Sequence, residues 1–162
     1  MDKEKLMRDP QQIITSHALF REMKPQHLAI LASNAKEAEF KAGELLFRQG
    51  EPANQLHLIL SGDVSLEAHE PGGGTVPVQT LGPGDLLGWS WLFPPFVWNF
   101  QARAIKRTEV IVLSGGHLLS NAERDHEFGY ELMRRVAQVV IKRLQSARKQ
   151  LLDLQTASAL EG

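Results

Sequence analysis

The chain has 162 residues, no cysteine and a formal net charge of −1. This excludes disulfides, thiolate metal centres and thiol nucleophiles, and it gives the molecule as a whole no electrostatic attraction for nucleic acid. An apolar fraction of 43%, with no run near the roughly 18 apolar residues of a membrane span, predicts one soluble domain. The charged opening MDKEKLMRDP lacks the apolar stretch of a secretory signal, so the expected location is cytoplasmic, with no membrane association.

Residues 13–34, IITSHALFREMKPQHLAILASN, predict two short helices. Ile14, Leu19, Phe20 and Met23 form the first apolar stripe, and Leu28, Ile30 and Leu31 the second. Pro25 can start a helix but not continue one, so it separates them. From Glu39 to Leu113 the pattern changes to short alternating runs at 45–48, 55–60, 64–69, 76–81, 100–105 and 110–113. That is the rhythm of an all-β sandwich or barrel. Turn residues punctuate it: Ala42-Gly43, Gln49-Gly50-Glu51-Pro52, Ser61-Gly62-Asp63, Pro71-Gly72-Gly73-Gly74 and Gly82-Pro83-Gly84-Asp85. Ser61-Gly62-Asp63, between two good strand patterns, predicts a tight hairpin.

After Gly115-Gly116 the pattern becomes helical and stays so to about Gln155, with Asn121 or Asp125 as the candidate cap. Glu123, Asp125 and Glu127 crowd the first turns, where the helix dipole favours negative charge. Met133, Ala137, Val140, Leu144, Ala147, Leu151 and Leu154 recur in alternating steps of four and three, an a/d seam. A helix of about 30 residues is roughly 45 Å long, more than one small roll can cover. The seam therefore calls for a partner helix, most simply its own copy in a homodimer, or else for folding back onto its own domain. The expected domain is 13–155, with the β-roll at 36–113, C-terminal helices at 117–155, and flexible ends at 1–12 and 156–162.

The order of these elements and their turns resembles the cyclic-nucleotide-binding domain of catabolite-activator-type (Crp/Fnr) regulators. The stretch FKAGELLFRQGEP at 40–52 is similar to that family's first two strands and turn, and LHLILSGDV at 56–64 to its third and fourth. Leu81-Gly82-Pro83-Gly84-Asp85-Leu86-Leu87-Gly88 is similar to the approach to the nucleotide pocket. The resemblance implies a mainly β fold: an eight-stranded double-stranded β-helix (jelly-roll), short N-terminal helices and a long C-terminal dimerisation helix.

In that family a glutamate after the glycine takes the ribose hydroxyl, and an arginine followed by Ser or Thr neutralises the cyclic phosphate. Spacing from Gly88 to Ala104 is kept without a gap, and it puts Trp89 at the glutamate, Trp98 at the arginine and Asn99 at the Ser/Thr position. Indole offers one N–H donor and no charge, whereas a buried phosphate needs a charged, preferably bidentate partner. The expected ligand-binding segment is Gly88, Trp89, Ser90, Trp91, Trp98, Asn99, Phe100 and Gln101.

Three readings follow: a sensor pocket degenerate for cAMP and cGMP, an interaction scaffold whose pocket the rings fill, or a nucleotide or other flat aromatic ligand held by unusual contacts. In the last, Asn99, Gln101 or Ser90 is the polar handle, and Arg103 or a neighbouring basic group takes any phosphate. Strand alternation disfavours Arg103, which shares a face with Asn99 and Gln101 rather than with Ala102 and Ala104.

Other motifs carry less. Pro71-Gly72-Gly73-Gly74-Thr75 has no following GK[ST] and reads as a hairpin tip. Gly88-Trp89-Ser90-Trp91-Leu92 lacks the final glycine of a nucleophile elbow. His57, His69 and Glu67 lack the spacing of a jelly-roll metal enzyme, and no histidine falls within 89–100 to serve as a haem ligand. The expectation is a regulatory module that is not an enzyme, needs no cofactor, and acts through a homodimer and protein contacts. Direct DNA binding is not expected, because the family's helix-turn-helix unit needs about 35 further residues and only Thr156–Gly162 remain beyond the helix.

Overall fold

A computed structural model describes residues 9–161, so residues 1–8 of the expected N-terminal end lie outside the described residues. Helix α1 (Pro10–Ser16) starts at Asp9, whose side chain accepts from the Gln11 N–H at 3.0 Å, with Pro10 in its first turn. A 3₁₀ turn follows at Ala18–Phe20, and α2 spans Pro25–Ala32. Ile14, Phe20, Met23 and Leu31 are buried, as the apolar stripes require.

Eight strands follow: β1 (Lys36–Phe40), β2 (Leu45–Phe47), β3 (Gln55–Ser61), β4 (Val64–His69), β5 (Thr75–Leu81), β6 (Leu86–Leu87), β7 (Gln101–Ala104) and β8 (Thr108–Ser114). They form two four-stranded antiparallel sheets, β1-β8-β3-β6 and β2-β7-β4-β5, the layout of a jelly-roll. All six alternating runs are strands. Neither β1, with its charge-rich KEAEF, nor β6, only two residues long, has an apolar run of its own.

One expectation fails here. β3 and β4 do not form a hairpin, because they belong to different sheets. Ser61-Gly62-Asp63 is instead a corner that carries the chain from one sheet to the other. Gly62 sits at φ +99°, and a Cβ there would strike Thr108 Oγ1 and lie 2.6 Å from the Arg107 carbonyl. The Asp63 carbonyl accepts from the Ile105 N–H at 2.9 Å, so the corner is tied to the turn between β7 and β8 rather than closed on itself. The true hairpin is β4–β5, with its tip at the Pro71–Gly74 glycine cluster.

Helix α3 (Gly115–Arg124) is capped by Ser114, and α4 (His126–Glu161) by Asp125, whose Oδ1 accepts from the Phe128 N–H at 3.1 Å. Asn121, the other candidate cap, lies inside α3 and donates to the His117 carbonyl. α4 runs 36 residues, roughly 54 Å, and passes through most of the segment expected as a flexible end at 156–162. Its first turns pack on the body through Phe128, Leu132 and Val136, a stripe spaced by four and distinct from the a/d seam. Arg135 fastens this part of α4 to the N-terminal helices by donating to the carbonyls of Leu19 at 2.7 Å and Arg21 at 3.0 Å.

Candidate ligand-binding site

The segment between β6 and β7 is built around Gly88. Its φ is +91°, and a Cβ would lie 2.7 Å from the Gln55 carbonyl, 3.1 Å from the Trp98 ring and 3.2 Å from His57 Nδ1. Only glycine satisfies both the left-handed backbone and that close approach. Trp89 precedes a 3₁₀ turn at Ser90–Leu92, and residues 96–98 are pinned to the turn before β3. There the Ala53 N–H donates to the Phe96 carbonyl (2.8 Å), the Gly50 N–H to the Trp98 carbonyl (2.9 Å), and the Trp98 N–H to the Glu51 carbonyl (3.0 Å).

This brings Trp98 indoors, only 5% exposed, stacked on Phe47 with ring centroids 3.9 Å apart and planes 17° apart. His57 lies behind the stack, 5.7 Å from Phe47 and 6.3 Å from Trp98 by centroids. Its Nδ1 is buried without a hydrogen-bond partner, and burial pushes the imidazole down to about 4.

Two apolar cavities open on either side of Trp89. One, of about 410 Å³, lies between the roll (Phe47, Gly88, Trp98, Phe100 and their neighbours) and Val140, Arg143, Leu144 and Ala147 of α4. The other, of about 570 Å³, lies between the 89–99 segment and Met133, Ala137, Val140 and Ile141. Trp89, Ser90, Asn99 and Val140 line both. Among the described residues, Arg143 is the only charged one lining the first cavity, and none lines the second. Its guanidinium lies 5.1 Å from the Trp89 ring centroid and donates to the Leu86 carbonyl. Burial lowers its pKa, and Asp85 opposes that shift.

The family model for the cyclic nucleotide-binding domain matches residues 37–125, the whole roll and the start of its C-terminal helices. The chain belongs to that family. It is 26% identical over 143 residues to the CRP-like cAMP-activated global transcriptional regulator of Mycobacterium tuberculosis, covering 88% of this chain and 62% of the relative. The chain thus spans less than two thirds of that regulator's length. Among solved structures, the catabolite activator protein of Thermus thermophilus matches with a TM-score of 0.66 at 26% identity, over 85% of this chain and 62% of that one. A cyclic nucleotide-binding domain from Methylobacillus flagellatus shares the fold, with a TM-score of 0.75 at 21% identity over 93% and 84%.

Within this cyclic nucleotide-binding domain, six of the eight expected site residues meet at the first cavity: Gly88, Trp89, Ser90, Trp98, Asn99 and Phe100. Trp91 and Gln101 do not. Trp91 turns into the core, donates to the Gly88 carbonyl at 2.6 Å, and presses on Gly115, where a Cβ would lie 2.6 Å from its ring. Gln101 is on the other face of β7, donating to Glu67 at 2.7 Å. Ala102 and Leu66 pair on the inner face, so their neighbours Gln101 and Glu67 must face out. Arg103 shares that outer network, reaching Glu67 at 3.3 Å and the Gly43 carbonyl at 2.9 Å, as alternation requires.

Of the seven seam residues, Met133, Ala137, Val140, Leu144 and Ala147 line the two cavities, while Leu151 and Leu154 lie beyond them, exposed. Sequence reasoning missed Arg143. Its only trace was its place three residues after Val140 and one before Leu144. It also missed His57, which is distant in sequence from the aromatic segment and reaches it only through the pairing of β3 with β6.

Proposed function

We propose that the chain is a non-catalytic, cytoplasmic sensor module whose roll pocket takes a small apolar ligand instead of a cyclic nucleotide held by the family's usual contacts. One observation carries this reading. The cavity beside Trp89 and Trp98 is open, yet among the described residues no carboxylate lines it to take a ribose, and its wall includes the stacked indole of Trp98, which sequence spacing puts at the family's arginine position. A phosphate buried beside Trp98 meets no charge-assisted partner on the roll, because the cation of the cavity, Arg143, stands on α4. Such a phosphate would lose several kcal/mol, on the order of its desolvation cost. An open cavity also favours a binding module over a scaffold with a ring-filled pocket.

The same cavity is walled on one side by Val140, Leu144 and Ala147 of α4. Any occupant that favours one position of this helix shifts the population of that position. The module is a homodimer through the a/d seam of α4, and occupancy is transmitted to protein partners as a change in the relation of the two helices.

Calorimetric titration with cAMP and with cGMP tests the pocket. The natural protein should give no binding heat, and a Trp89→Glu, Trp98→Arg double variant should gain it. Micromolar binding by the natural protein would overturn the proposal, since the phosphate would then be held without the family's arginine.

A further inference from the structure

Arg143 is half-buried between two cavities: the apolar one beneath Trp89, and a smaller one of about 240 Å³ lined by His17, Asp85, Lys142 and others. A guanidinium has five N–H donors and keeps its charge under any ordinary condition. Here the Leu86 carbonyl accepts from one nitrogen and the face of Trp89 lies beside the group. Among the described residues no carboxylate reaches ion-pair distance of Arg143, although other half-buried arginines of the chain have one: Arg135 with Glu131 at 3.1 Å and Arg103 with Glu67 at 3.3 Å. Asp85 acts on Arg143 electrostatically from the side of the smaller cavity. Even so, a partly desolvated cation with no ion-paired carboxylate, at the wall of a cavity otherwise lined by uncharged side chains among the described residues, is poised for an anion brought in by a ligand.

We infer that the ligand of this cavity is a flat apolar anion, a ring system bearing one carboxylate, sulfonate or similar group, with Arg143 as the counter-charge. This rests on the reading of the cavity as a ligand site. The rings of Trp89, Trp98 and Phe100 provide walls suited to a planar body, and the charge comes from α4, with the Arg143 guanidinium 5.1 Å from the Trp89 ring centroid. The charge that this roll lacks at Trp98 is thus supplied from α4. Ligand binding then engages the helix through an ion pair as well as through apolar contact.

A matched pair of probes separates the two ideas: 8-anilinonaphthalene-1-sulfonate and N-phenyl-1-naphthylamine, the same ring system with and without the anion. Fluorescence titration of the full chain should show one saturable site per protomer for the sulfonate. Its affinity should exceed that of the neutral probe by about tenfold, the size of one charge-assisted hydrogen bond. Arg143→Gln keeps a donor for the Leu86 carbonyl and removes the charge; it should bring the sulfonate down to the level of the neutral probe and leave the latter unchanged. Lys142→Met should change neither, and Ala147→Trp, which fills the cavity, should abolish both.

Equal binding of the two probes by the natural protein overturns the anion inference and leaves the apolar cavity standing. Undiminished sulfonate binding by Arg143→Gln makes Arg143 a brace for α4 and nothing more. Sulfonate binding that survives Ala147→Trp places the probe elsewhere and also counts against the inference. No binding of either probe overturns the inference together with the ligand-cavity reading on which it rests.

Discussion

The two ends of α4 are built for different neighbours. Near its start Phe128 is 0% exposed and Leu132 1%, packed on the roll and on α3, while in the distal part Leu151 is 58% exposed and Leu154 69%. Both ends are amphipathic, so apolar content alone does not say what a helix face will meet. The proximal face has its partner in its own chain, with Gly129 so close to α3 that a Cβ would lie 3.0 Å from the Ala122 carbonyl. The distal face has no partner in its own chain among the described residues. Between them, from Met133 to Ala147, the seam borders the two cavities, which links the part of α4 fixed on the body to the part that stands away from it.

The difference can be broken from either end. Phe128→Ala should have the largest effect on stability. Removing a fully buried ring costs about 3–5 kcal/mol, and urea denaturation should show the whole roll losing stability. A change confined to fraying of α4 would mean that the proximal half is not part of the core.

A pH titration separates the roll from the helix, because the strongest titrating constraint lies inside the roll at His57. Its pKa is about 4 in the folded chain against 6.5 for a freely solvated histidine, so between those values the unfolded chain binds the proton and the folded chain refuses it. Stability should therefore be full above about pH 6.5, fall as pH drops toward 4, and level off below. The total loss would be about 3 kcal/mol. His57→Leu should flatten most of that slope, leaving the contribution of His17, whose pKa burial lowers in the same direction. An unchanged slope would remove His57 as its source.

The smallest effect on folding should come from Leu151→Lys with Leu154→Lys. The unfolding free energy from urea denaturation at low protein concentration should stay within about 0.5 kcal/mol of the natural chain, as for other exposed sites. Sedimentation velocity should show a dimer converted to monomer. A natural chain that is already monomeric would refute the proposed pairing of the seam.

Much of the fold was legible in advance. The N-terminal helices, six of the strands, the Pro71–Gly74 hairpin tip and the long helix all follow from hydrophobic period and turn chemistry, which are local. The aromatic segment was legible for the same reason, and the ungapped spacing from Gly88 to Ala104 is the basis for proposing that it departs from the family's charged pair. Trp91 and Trp98 carry the same side chain seven positions apart, yet one became a core strut and the other a cavity wall. Nothing in their local pattern distinguishes them.

By itself the sequence determined the order of the elements, the roll, the apolar seam of α4 and the aromatic segment 89–100, because each is written in residues close together in the chain. Only the tertiary structure decided that β3 and β4 part into separate sheets, that His57 lies behind Trp98, that Gln101 faces away from the cavity, and that Arg143 stands at its wall. Those outcomes depend on strand pairing and helix docking between segments far apart in sequence. A one-residue shift in such pairing exchanges the inner face of a strand for its outer one.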